Sequence, residues 1–199
     1  MARSVRWLLG VSLFLFIIGG PFAYAKYRKT AMRNFREVDD GVLYRSGQLS
    51  LDSLKRVRHD YGIKTVISLR AGKDGEEGAP DAGEENYCFW EEVYYHRLPY
   101  RELSETGSPW VRVDGVAPVD RFVAKFLKIM DQPKHHPALI HCYAGKNRTG
   151  AFVAIYRMEY QRWTNEAAIE ELKSTGYAEI EEHNDLLTYL QTYQPRWAR

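Results

Sequence analysis

Apolar and polar positions alternate in blocks along most of the chain, and each block has its own period. Arg36 to Arg45 reads as a hairpin turning at Asp40-Gly41. Ser50 then stands as N-cap to a helix carrying Leu51, Leu54 and Val57 and ending near Tyr61-Gly62. Lys64 to Leu69 is a short apolar run expected as a buried strand, followed by a Gly-, Asp- and Glu-rich loop over 70–83. A helix over 83–93 and a strand over 94–100 repeat the pattern. Arg101 to Ala117 is a long polar connection, and Pro118 at a first helical position opens an amphipathic helix over 119–130. Pro137 to Ile140 is a buried strand, and Thr149 to Met158 is small and apolar enough for a buried helix. Helices over 165–174 and 180–193 close the chain. Strands alternating with helices predict an α/β fold with a central, mostly parallel sheet of four to five strands flanked by helices.

The amino terminus departs from this pattern. Trp7 to Ala25 carries no charged residue, which is near the length that spans a bilayer. Residues 1–25 are expected to be a transmembrane anchor or a signal peptide, residues 26–35 a basic linker, and residues 36–199 one folded domain. Lys26, Arg28, Lys29 and Arg33 outnumber Arg3 and Arg6, which favours a single-pass anchor with the domain on the cytoplasmic side. The alternative is export to the periplasm after cleavage near Ala25. Net charge is +2 with scattered basic residues, so no nucleic-acid partner is expected. Cys88 and Cys142 are too few for a disulfide framework.

The chemistry concentrates in His141-Cys142-Tyr143-Ala144-Gly145-Lys146-Asn147-Arg148-Thr149-Gly150, between the 137–140 strand and the 149–158 helix. A strand end, a tight loop and a helix start aim backbone N–H groups and the positive helix dipole at one spot. Cys142 and Arg148 bracket that spot. Donors of this kind lower a thiol's pKa and so supply the nucleophilic thiolate, and a guanidinium fork matches two phosphoryl oxygens. A nucleotide-binding Walker loop is excluded, because Asn147 follows Lys146 and position 140 is not Gly.

His-Cys-x-x-Gly-x-x-Arg-Thr-Gly resembles the signature loop of the protein-tyrosine and dual-specificity phosphatases. Six fixed residues recur by chance on the order of once per 10⁸ positions. Arg45-Ser46-Gly47-Gln48 is also similar to an amino-terminal segment of the bacterial and fungal dual-specificity-like members, although Arg45 reads equally well as a structural ion-pair residue. The resemblance spans 38–193 and implies a dual-specificity phosphatase-like fold. It further implies hydrolysis of phosphate monoesters, phosphotyrosine and also phosphoserine or phosphothreonine, through a phosphocysteine on Cys142. On this pattern Tyr143, Ala144, Gly145, Lys146, Asn147 and Arg148 bind phosphate, Thr149 hydrogen-bonds the sulfur, His141 tunes the loop, and no metal or cofactor is needed.

Such enzymes protonate the leaving oxygen with a loop carboxylate, and here Asp114 and Glu102 compete, with Asp114 favoured by residue type. Lys146 also occurs in relatives acting on phosphoinositides or inositol polyphosphates, so a phosphorylated lipid or inositol stands beside a phosphorylated protein as substrate. Lys146 reads equally as a solvated side chain. An inactive phosphate-binding module is the remaining alternative. Cys88 is expected as a buried hydrophobe, with a resolving thiol for oxidised Cys142 as the rival reading.

Overall fold

The chain turns at Asp40-Gly41, where Gly41 takes φ 67°, and this joins two antiparallel strands, β1 (Arg36–Asp39) and β2 (Leu43–Gly47). A computed structural model describes residues 7, 14, 17, 19–21, 32–72, 75, 77–99 and 107–198. After β2 come α1 (Leu51–Tyr61), β3 (Thr65–Ser68), α2 (Ala82–Trp90), β4 (Tyr94–Arg97), α3 (Asp120–Met130), β5 (Ala138–Cys142), α4 (Asn147–Tyr160), α5 (Asn165–Ser174) and α6 (Asn184–Gln191). The strands order as β1-β2-β5-β3-β4, and every pairing but β1 with β2 is parallel. The expected sheet is therefore present, with β5 at its centre.

Side chains alternate across the sheet and feed two cores. Leu43, Ile67, Ala138 and Ile140 meet α3 through α6 on one face. Tyr44, Val66 and Leu139 meet α1 and α2 on the other, through Leu54, Val57 and Cys88. Phe126 of α3 sets its ring edge-on to Phe152 of α4 at 5.4 Å, a geometry that adds about 1 kcal/mol beyond the area buried. Residues Thr149 to Tyr156 of α4 are buried without a break, which explains the sequence's lack of a polar face there. Serine capping of α1 is as expected: Ser50 Oγ accepts from the Ser53 N–H, and Gly62 ends the helix at φ 65°.

Several boundaries differ from expectation. β4 stops at Arg97. The final helix is split: a 3₁₀ turn covers Ala178–Glu182, and α6 starts after the non-helical His183. Phe89 and Trp90 of α2 are exposed, so the helix packs inward through Glu84 and Cys88. The linker boundary moves too. Arg33 O accepts from the Gly47 N–H at 2.7 Å, and Phe35 packs its ring on Tyr44 and Tyr61, so 32–35 belongs to the folded domain. Most of 1–31 lies outside the described residues, and no described helix is long and apolar enough to cross a membrane.

Candidate active site

β5 ends on Cys142, at the carboxyl edge of the middle strand, where open parallel sheets present their ligand sites. The loop 143–146 carries the chain into α4, whose first position is preceded by Lys146 with no side-chain cap. The first-turn N–H groups are thus left for a ligand. Gly145 sits at φ 73°, and a Cβ there would lie 2.4 Å from Gly47 N, so only Gly allows the loop to press against β2. Two outward-facing carbonyls are held from β2 and just beyond it. The Gln48 N–H donates to Tyr143 O at 3.0 Å, and Arg45 Nη2 donates to Gly145 O at 2.8 Å. Because a peptide unit is planar with C=O and N–H opposed, the N–H groups of Ala144 and Lys146 turn inward.

Cys142 is buried, and its Sγ lies 3.2 Å from the Gly145 N–H. Burial by itself would raise the thiol, but the Thr149 hydroxyl and the backbone N–H groups of Thr149, Gly145 and Ala144 outweigh it and hold the group below its ordinary value. The backbone donors are the firmer part, since Thr149 Oγ1 is buried without a formed hydrogen bond. Arg148 Nη1 donates to Leu69 O at 3.0 Å, which holds the guanidinium beside the end of β3. With Asn147 it lines a cavity of about 400 Å³ shared with Ser108, Trp110, His183 and Asp185. A larger cavity of about 770 Å³ lies between α3 and the far end of α6, away from Cys142 and Arg148. Its Arg112 and Arg196 are already engaged by Thr192 and Asp131, so the smaller cavity is the one with chemistry beside it.

Beneath the loop lies a polar layer that sequence reasoning missed. His141 Nε2 meets Glu84 Oε1 of α2 at 2.6 Å, both buried, and Glu84 raises the imidazole's pKa against the lowering effect of burial. Beside it, Arg97 binds Asp81 at 2.8 Å and Glu85 at 2.9 Å. The spacing of Glu84 and Cys88, one helical turn apart on the buried face of α2, was the available signal. Arg45 proves to be a loop-holding residue instead of an ion-pair partner. It is buried, bonds Gly145 O and Thr175 Oγ1, and is lowered by burial to about 10, which still leaves it charged at neutral pH.

The other expected residues divide. Tyr143 is exposed on the rim between the guanidiniums of Arg33, 4.1 Å from its ring centroid, and Arg70, 5.0 Å away. Lys146 is exposed and runs along Gly176. Asp114 is exposed at φ 52° in the tight Val113–Val116 turn, and its neighbours Arg112 and Gly115 line the larger cavity. Glu102 lies outside the described residues. Cys88 is fully buried in the core cluster on the sheet face opposite the one that holds Cys142, with its thiol pushed up to about 12 by burial, which supports the buried-hydrophobe reading.

Residues 24–159 match the model of a family described as the tyrosine phosphatase family. The dual specificity protein phosphatase TpbA of Pseudomonas aeruginosa is 40% identical over 197 residues, covering 94% of this chain and 79% of that protein. A rice inositol diphosphatase, DSP1 of Oryza sativa subsp. japonica, is 33% identical over 130 residues, 65% of this chain and 51% of that protein. Among solved structures, a P. aeruginosa TpbA variant in complex with pTyr superposes with TM-score 0.59 at 24% identity, covering 81% of this chain and 85% of that one.

Proposed function

The chain belongs to the tyrosine phosphatase family and is a tyrosine/dual-specificity phosphatase, and from that premise we propose how its residues divide the work. Cys142 is the nucleophile. Its thiolate attacks phosphorus in line with the leaving oxygen, the P–O bond breaks, and a phosphocysteine forms. The N–H groups of 143–148 and the Arg148 fork take the charge on the three equatorial oxygens. Water then attacks phosphorus, the S–P bond breaks, and the thiolate leaves with phosphate released. The single observation carrying this assignment is Cys142 Sγ held 3.2 Å from the Gly145 N–H in the loop that ends on Arg148, where backbone donors keep the thiol below its ordinary value.

The leaving oxygen needs a proton, and we assign it to Glu102, with Asp114 as rival. Leu98, just past β4, donates its N–H to Ser68 O beside Leu69, the residue that Arg148 binds. The chain therefore leaves β4 next to the site, and Glu102 follows within a few residues. Asp114 lies in the exposed Val113–Val116 turn, whose Gly115 and the preceding Arg112 line the larger cavity.

Phosphotyrosine proteins are the proposed substrates, in line with the pTyr carried by the TpbA structure. A second reading is favoured by the Arg33, Tyr143 and Arg70 stack together with Lys146, a cationic rim suited to substrates with additional phosphates. It accords with the inositol diphosphatase relative. Phosphate release measured across phosphotyrosine peptides, phosphoserine peptides, phosphoinositides and inositol polyphosphates decides between the two. Attachment to a membrane through 7–25 is proposed on the uncharged run alone. Alkaline phosphatase fused after Asn34 tests its cytoplasmic topology, which high fusion activity would contradict.

A further inference from the structure

Two of the three consecutive carbonyls at the floor of the loop are held by Gln48 and Arg45, and the middle one is held from an unexpected direction. Asn34 Nδ2 donates to Ala144 O at 2.8 Å across 110 residues of sequence. Ala144 O shares its peptide plane with the Gly145 N–H, the group that stands 3.2 Å from Cys142 Sγ. Turning that plane over would remove a donor from the sulfur and point a carbonyl at it.

Asn34 is set up for this contact. It takes φ 50°, a left-handed conformation that Asn adopts more readily than other side-chain-bearing residues. The turn around it is closed by the Phe35 N–H donating to Met32 O, and clamped on both sides. Arg33 O accepts from Gly47, the Arg33 guanidinium covers Tyr143, and Phe35 packs on Tyr44 and Tyr61. We propose that Asn34 is a positioning residue for catalysis: it fixes the 144–145 peptide so that the Gly145 N–H faces the Cys142 thiolate and the phosphoryl group. The segment entering the domain from the amino-terminal run thereby completes the phosphate-binding loop. This rests on reading 142–148 as that loop.

The test compares the full-length protein with Asn34→Ala and Asn34→Asp, neither of which can donate to Ala144 O. The rate of Cys142 alkylation by iodoacetamide is followed against pH, beside kcat/KM on p-nitrophenyl phosphate and the melting temperature. Loss of one hydrogen bond to a charged group raises the apparent Cys142 pKa by about one unit. Misplacing a reacting group lowers kcat/KM by about tenfold to about 100-fold, with kcat falling more than KM rises. An alkylation profile that superposes on wild type, whether or not activity or melting temperature falls, overturns the proposal. Alkylation needs no turnover, so an inactive wild type with a shifted Asn34→Ala profile would contradict the phosphatase reading and leave the positioning role standing.

Discussion

Glu84 Oε1 lies 2.6 Å from His141 Nε2 in a buried layer directly before the nucleophile in sequence. Neither strand pattern nor loop motif carries this pairing, yet it adjoins the nucleophile, since His141 Nδ1 also stands 3.4 Å from Cys142 O. Glu84 raises the folded-state pKa of His141. A raised folded pKa contributes stability that is fully present below the unfolded value of about 6.5 and is lost as pH rises through the folded one. Removing one partner of a buried pair costs about 3 kcal/mol. Urea unfolding should therefore show Glu84→Gln less stable than wild type by about that amount at acid pH, with the gap narrowing as pH rises through the raised His141 value. An equal gap at both ends would mean that His141 does not change its protonation state across that range.

Gly145 is the position where the loop tolerates nothing larger. A Cβ there meets the backbone of Gly47 and Ser46 at 2.4 to 2.6 Å, and its φ of 73° penalises any side chain. Gly145→Ala should destabilise the domain by about 2 to 3 kcal/mol and abolish binding of inorganic phosphate or vanadate, measured by calorimetry. Wild-type anion affinity in the variant would show that the loop closes some other way.

Arg148 contributes a fork that a point charge does not replace. With Nη1 engaged by Leu69 O, a lysine keeps the charge and loses the planar match to two oxygens. Arg148→Lys should lower kcat by roughly 100-fold to 1,000-fold, the cost of removing one preorganised donor, while Cys142 alkylation stays within a few-fold of wild type. A small kcat effect would assign the equatorial oxygens to the backbone alone.

The acid assignment is separable by leaving group. Glu102→Gln should slow substrates with poor leaving groups, such as phosphotyrosine peptides, by about 100-fold and good ones far less. Asp114→Asn should do neither, because Asp114 sits exposed in the Val113–Val116 turn, flanked by Arg112 and Gly115 of the larger cavity. The reverse ranking would assign the proton to Asp114.

Much of this was legible beforehand where the signal is local. The Ser50 cap, the Asp40-Gly41 turn and helix 165–174 are set by residues within a few positions of each other, and all three stand where the sequence placed them. So does the strand, loop and helix around Cys142. The features that were not legible join distant segments: Asn34 to Ala144, Glu84 to His141 and Arg45 to Gly145 each depend on the sheet order bringing β2, α2 and the loop together. The general acid was not legible for a related reason: Asp114 fitted by residue type, but residue type does not say which cavity the chain across 107–119 serves, and its neighbours Arg112 and Gly115 line the one beside α6.

Phosphate release by the full-length protein beside Cys142→Ser, with chelator present, tests the central claim most directly. The account predicts release from a phosphotyrosine peptide by the wild type and none above background by Cys142→Ser, which should still bind the peptide. Release that survives in Cys142→Ser would contradict a phosphocysteine mechanism.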